Sequence, residues 1–276
     1  MTRPPGEPRR VAYLYLLPGL ALFAVFVLTP LARAGWISLF EWDGVTTGTW
    51  VGLDNYQAVF TEADLRRAFW HSAVLLVFYA VLPVAIGLLL AGAASRTRVR
   101  GLTALRTIIF LPQVIALVVV AVTWRLIYQP TGWLGDFGLA LPAVGLIGTW
   151  VAYGLCFVLF MAGVQKVPRS LYDAARVDGA GAVREFFAVT VPALRGEIAV
   201  ALTLTTIAGL RNFDVVYLTT AGGPGDATSV PALEVYERAF RVGEVGSAAA
   251  VGVCLAAVIF ALSLAINQVA DRAART

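Results

Sequence analysis

Gln165–Arg195, QKVPRSLYDAARVDGAGAVREFFAVTVPALR, separates two long apolar runs, and its pattern is that of a built structure rather than a tether. Pro168 and Ser170 mark a helix start, and Leu171, Ala174, Ala175 and Val177 supply helix formers. Asp173 is placed in the first turn, where a carboxylate complements the helix dipole. Gly179 and Gly181 end or bend that helix, because only small residues let the backbone turn there. A second helical piece is predicted over Val183–Val191, with Phe186, Phe187 and Val189 as its apolar patch and Pro192 as its stop. A short helix bounded by Gly and Pro beneath two spans suits docking into a groove on a partner. An amphipathic loop lying against lipid headgroups has the same composition, so these residues alone leave both readings open.

Outward from this stretch the chain is greasy. Of its 276 residues 59% are hydrophobic and 14% charged, with a mean hydropathy of +0.79. Soluble domains carry roughly 25% charged residues, and lipid as solvent explains the missing charge. Six apolar runs are predicted as membrane-spanning helices: Tyr13–Ala34, Phe69–Ala94, Leu105–Tyr128, Leu139–Val164, Ile198–Leu218 and Gly246–Val269. Each is close to the roughly 20 residues a spanning helix needs. In lipid every backbone N–H and C=O needs an internal partner, and these lengths suit helices rather than barrel strands. The fold class is therefore an all-α integral membrane protein with six transmembrane helices. Between the first two runs, Gly35–Arg67 carries Trp36, Trp42, Trp50 and Tyr56, which fit an interfacial belt, and a short surface helix is predicted at Asn55–Phe60.

The bias of Arg and Lys sets the orientation. With the N-terminus in the cytoplasm, that side holds Arg3, Arg9, Arg10, Arg96, Arg98, Arg100, Arg106, Lys166, Arg169, Arg176, Arg184, Arg195, Arg272 and Arg275. The opposite side holds Arg66, Arg67, Arg238 and Arg241. Fourteen against four predicts that both ends are cytoplasmic.

Several function classes lose ground. The net charge of +4 is scattered between apolar runs rather than gathered on one face, which argues against nucleic acid. Cys156 and Cys254 lie inside apolar runs and read as small buried hydrophobes. His71 is the only histidine, so there is no histidine cluster for a metal. An intramembrane hydrolase could draw on Ser72 beside His71, but adjacent side chains on a helix diverge and no acid partner is evident. A proton-coupled secondary transporter wants ionisable groups in mid-membrane, where the spans offer little beyond Arg211 and Asp214.

Spacing makes the Gln165–Arg195 stretch specific. Asp173-Ala174-Ala175, three residues, Gly179, nine residues, then Val189-Thr190-Val191-Pro192 resembles the EAA signature of ATP-binding-cassette (ABC) importer permeases, Glu-Ala-Ala, three residues, Gly, nine residues, Ile-x-Leu-Pro. Asp173 replaces Glu and Val replaces the larger aliphatics. Other stretches resemble the carbohydrate branch of that family, of the maltose and glycerol-phosphate type. They are Leu16-Leu17-Pro18-Gly19, Val51-Gly52-Leu53-Asp54-Asn55-Tyr56, Phe110-Leu111-Pro112, and Phe213-Asp214-Val215-Val216-Tyr217-Leu218-Thr219 followed by Gly222-Gly223-Pro224-Gly225.

The resemblance implies a type I ABC importer permease. It divides the chain into a tail, first helix and external segment (1–68), a five-helix transmembrane domain (69–269) with its coupling loop at 165–195, and a tail (270–276). Leu171, Tyr172, Asp173, Ala174, Ala175, Asp178, Gly179, Ala180 and Pro192 would couple to an ATPase. The implied partners are a second permease subunit in a heterodimer, two ATPase subunits and an extracytoplasmic solute-binding protein, in the inner membrane of a bacterial or archaeal cell. ATP and Mg belong to the ATPase. This sequence lacks G-x-x-x-x-G-K-[ST] and is expected to bind no cofactor and hydrolyse nothing.

Cargo contacts in such permeases come from the fourth and fifth spans. The matching residues fall near Val151, Ala152 and Leu155, and near Thr205, Ala208 and Gly209. Sugar recognition draws on aromatic platforms and polar groups, which adds Trp150 and Tyr153, although a Trp in a membrane helix also serves packing or the interfacial belt. Arg211-Asn212-Phe213-Asp214 closes the fifth run. Arg211 and Asp214, one turn apart, are predicted to pair on one helix face, either lining the path or locking helix packing.

Overall fold

Apolar runs of these lengths satisfy their backbone as helices, and the computed structural model, which describes residues 9–96 and 101–275, is helical through most of each. Arg3, Arg98 and Arg100, which contribute to the charge bias, lie outside the described residues. The first half of the chain forms α1 (Tyr15–Ile37), α2 (Asp54–Thr61), α3 (Ala63–Ala94), α4 (Leu102–Val114), α5 (Leu117–Tyr128) and α6 (Ala140–Val164). The second half forms α7 (Arg169–Val177), α8 (Ala182–Ala193), α9 (Arg195–Leu210), α10 (Asp214–Thr219), α11 (Pro231–Glu237) and α12 (Val245–Arg275). Helices α1, α3, α6 and α12 are each long and apolar enough to cross a bilayer, and counting the bent pairs α4–α5 and α8–α9 as one span apiece makes six.

Two runs differ from expectation. The third breaks at Ile115–Ala116, and its halves, α4 and α5, meet at 91°. Ile115 takes an extended conformation (φ −71°, ψ 135°), so the hydrogen-bond ladder stops there. The fifth ends at Leu210 instead of Leu218, and α10 begins as a separate short helix at Asp214. The 16 residues of α9 rise about 24 Å, short of a hydrocarbon layer of about 30 Å.

Proline does not stop these helices. Wide π-type turns at Ala24–Leu28, Val77–Val81 and Phe186–Thr190 each lie just ahead of a proline, Pro30, Pro83 and Pro192. A proline lacks the N–H and crowds the carbonyl four residues earlier. In all three cases that carbonyl (Phe26, Tyr79, Ala188) lies inside the wide turn, which gives it room. The Thr29 hydroxyl also donates to the Ala24 carbonyl (3.0 Å). For this reason the second piece of the central loop runs to Ala193 rather than stopping before Pro192.

The described chain forms two units. The smaller holds residues up to Phe60 with Val235–Cys254. There β1 (Phe40–Glu41) pairs antiparallel with β2 (Thr49–Trp50), Phe40 opposite Trp50. The Asn55 amide donates to the Ser38 and Phe40 carbonyls (2.8 and 2.9 Å), and the Tyr56 and Ser38 hydroxyls share a 2.6 Å bond. These bonds staple α2 to the chain that leaves α1. Asp43 accepts from the Val45 and Thr46 amides (2.9 and 2.7 Å), which holds its carboxyl below the usual range.

The larger unit holds Thr61–Glu234 and the chain from Leu255 onward. Its α6 packs most extensively on α3 and then on α4. Val84, Ala91, Cys156, Phe157, Phe160, Met161, Val164, Leu194 and Ala201 form its core. Small residues let the backbones approach, as membrane helix packing requires. A Cβ on Gly87 would sit 2.6 Å from that of Cys156, and one on Gly154 would run into the Ile109 carbonyl of α4.

Candidate functional site

The loop below α6 and α9 is ordered down to its turns. Helix α7 starts after Pro168 and ends in a two-bond cap: Gly179 N–H donates to the Arg176 carbonyl (3.0 Å) and Ala180 N–H to the Ala175 carbonyl (2.9 Å). Gly179 holds φ +76°, the left-handed position that this cap requires and that glycine takes without steric cost. Tyr172 and Ala175 turn partly inward, while Leu171, Asp173, Ala174, Val177 and Asp178 are exposed. Asp173 is not in the first turn, since α7 begins at Arg169. Its neighbour is Arg176, whose guanidinium lies 3.7 Å from Asp173 Oδ1.

The second piece anchors the loop. Glu185, only 2% exposed, accepts from Arg176 Nε at 3.1 Å, and the Tyr172 and Thr190 hydroxyls lie 3.4 Å apart. A Cβ on Gly92 of α3 would sit 2.6 Å from the Phe186 ring, so that ring is wedged against the bundle. Phe187 and Val183 stay exposed, and the apolar patch predicted on α8 is thus divided between an inward and an outward face. The sequence reading missed Glu185. Its signal was an acid and a base, Arg176 and Glu185, flanking the turn at Gly179–Gly181.

The pathway residues fall into separate groups. Thr205 is buried, and its hydroxyl donates to the Ala201 carbonyl of its own helix (2.8 Å). Arg211 and Asp214 are both exposed and stand on either side of the unwound Asn212–Phe213, off a common helix face. The described ion pairs do not include the predicted Arg211–Asp214 pair. Asn212 is buried beside the Tyr79 hydroxyl. Tyr79, a residue the sequence did not single out, is wedged between two glycines: a Cβ on Gly148 of α6 would overlap its ring, and one on Gly209 would lie 2.8 Å from its Cβ. Glycine on both flanks of a buried tyrosine joins α3, α6 and α9 at one point.

Val151, Ala152, Tyr153 and Leu155 are half-buried along α6. Trp150 meets Trp124 of α5 edge to face at 5.6 Å. The rings continue from Trp124 to Tyr128 (5.0 Å), and Tyr128 stacks on Trp133 (5.5 Å, 22°). Helix α10 packs on α5, and within its approach Phe213 and Tyr217 are stacked at 5.1 Å. His71 Nδ1 donates to the Ser229 carbonyl at 2.8 Å, which aims the imidazole at the 222–230 loop and gives it a structural bond.

Residues 12–276 match the family of binding-protein-dependent transport system inner membrane components. The chain belongs to this family. It is 33% identical to a probable ABC transporter permease protein of Bacillus subtilis, covering 94% of this permease and 95% of the relative. A trehalose/maltose transport system permease protein of Thermococcus litoralis is 29% identical, with 94% and 93% covered. A diacetylchitobiose uptake system permease protein of Streptomyces coelicolor is 32% identical, with 92% and 82% covered. In fold, this permease resembles a chain of a bacterial ABC transporter that imports the polysaccharide alginate, with a TM-score of 0.78, 21% identity and 95% of each chain covered. It is a multi-pass membrane protein of the ABC importer permease fold.

Proposed function

We propose that this permease forms half of the translocation pathway of an ATP-driven importer for a sugar or sugar derivative, coupled through its 171–194 loop to a separate ATPase. The observation that carries the reading is the state of α7. It is a capped, amphipathic helix, fixed to the bundle through α8, with Leu171, Asp173, Ala174 and Val177 left exposed. A loop resting on headgroups has no need of such a cap and anchor. A helix that receives a push from a partner needs both. The expected assembly holds a second permease subunit, two ATPase subunits and an extracytoplasmic binding protein, with both termini of this permease in the cytoplasm.

Sugar is favoured on two grounds. Relatives named for trehalose and maltose, for diacetylchitobiose and for glycerol-3-phosphate match it over more than nine-tenths of its length. The linked rings of Trp150, Trp124, Tyr128 and Trp133 also offer faces on which pyranose C–H groups stack. Alternating access would follow from ATPase closure pushing α7 and rocking the spans about a central site.

The deciding experiment isolates the tagged permease from its native membrane. An ATPase and a second permease are expected to co-purify, and reconstituted vesicles should accumulate sugar with ATP and the binding protein. Uptake driven by a proton gradient with no ATPase present would overturn the reading. Within that assay Trp124→Ala should raise the KM for uptake about five-fold, a stacking contribution near 1 kcal/mol. Trp124→Phe should restore most of it. An unchanged KM in Trp124→Ala would remove the ring from the pathway.

A further inference from the structure

We infer that Glu185 is a positioning residue for coupling: through Arg176 it sets the orientation of α7, and so of the exposed Asp173. The inference rests on the reading of α7 as the ATPase-facing helix and goes beyond the family signature, which leaves both Arg176 and Glu185 unspecified. The Glu185 carboxylate is 2% exposed, whereas the guanidinium that reaches it from α7 belongs to a residue 57% exposed. A buried carboxylate on one helix therefore grips a side chain rooted on another. Arg176 Nε lies 3.1 Å from Glu185 Oε2 while its Nη1 lies 3.7 Å from Asp173 Oδ1, so one guanidinium stands between the buried anchor and the exposed head.

A second side-chain contact between α7 and α8 joins Tyr172 to Thr190. The Tyr172–Thr190 contact, at 3.4 Å, is long for two hydroxyls. Glu185 is also well founded on its own side. It sits in the first turn of α8, where a carboxylate is favoured by the helix dipole, and the next residue, Phe186, is the ring wedged at Gly92. A displacement of α7 thus passes through Arg176 and Glu185 into α8 and on to α3. Removing the Arg176 guanidinium takes from Glu185 the contact that reaches it from α7, and removing the Glu185 carboxylate takes from Arg176 its closer acid.

The test follows amide hydrogen exchange in the full-length permease in lipid nanodiscs, with no ATPase added. Glu185→Gln and Arg176→Gln should each speed exchange across 171–178 about tenfold. The double variant should add nothing further, because the two residues act as one unit. Arg176→Lys, which keeps charge but loses the fork, should fall between. Protection across α8 should stay as in the wild type. In the assembled importer the same single variants should retain bound ATPase yet lose uptake relative to ATP hydrolysis. Wild-type exchange in α7 of Glu185→Gln overturns the inference. So does loss of protection in α8 of Glu185→Gln while Arg176→Gln leaves α7 unchanged, since Glu185 would then serve only its own helix. If α7 loosens as described but no ATPase ever associates with the wild type, the importer reading fails and the positioning role stands.

Discussion

Gly154→Ala is expected to destabilise the folded permease by about 3 kcal/mol, roughly a hundredfold shift toward unfolded chain. The cause is the kind of atom the new methyl group meets. At Gly154 it meets the backbone of α4, namely the Ile109 carbonyl and, at 3.0 Å, the Phe110 Cα. Backbone within a packed helix does not rotate aside, so α4 and α6 must separate along their contact. In lipid that contact is held by close packing rather than by exclusion of water. At Gly92 the methyl would meet the far edge of the Phe186 ring at 2.6 Å, and a ring edge can yield. Gly92→Ala should therefore lose less, and Phe186→Leu should recover part of that loss. Thermal melting in detergent, with size-exclusion profiles as a check, gives the ranking. A Gly154→Ala variant that melted with the wild type would mean that α4 and α6 are not this close.

Asp173→Arg should abolish association with the ATPase and reduce uptake at least about a hundredfold, while leaving insertion and melting near wild type. Asp173 is 69% exposed, and exposed substitutions away from special backbone positions usually change stability by less than about 0.5 kcal/mol. Its effect falls on the partner. An arginine here would replace the acid beside Arg176 with a second cation and would present the wrong sign to any basic groove on an ATPase. Asp173→Glu, which restores the residue common in the EAA signature, should keep full association. Co-purification from membranes measures binding, and substrate accumulation in vesicles measures coupling. Uptake unchanged in Asp173→Arg would detach this helix from energy supply.

The parts of the molecule that obey local rules were legible. Leu139–Val164 was predicted and Ala140–Val164 found, because an unbroken apolar run in lipid has no other solution. The turn at Gly179 was legible from its glycine, and the helix before it from Pro168, Ser170 and the helix formers that follow them. The breaks in the third and fifth runs were not. Neither Ile115–Ala116 nor Arg211–Phe213 contains a glycine or proline, so no local signal marks the end of helix. Burial of Asn212 beside Tyr79, and packing of α10 on α5, belong to the folded chain alone. The same holds at the candidate site. Glu185 became visible only when the turn brought it to Arg176, and Tyr79 only when two glycines on distant helices closed on it.

The wide turns ahead of Pro30, Pro83 and Pro192 have a further consequence. Each turn lodges one residue more than an α-helical path would, and one residue is worth about 100° of rotation about the axis. These prolines therefore fix an angle rather than a break, because everything beyond them is dialled round by that amount. Which side of the second half of α3 confronts α6 is decided several residues upstream of the contact itself, at Val77–Val81. In this molecule azimuth is inherited along the helix.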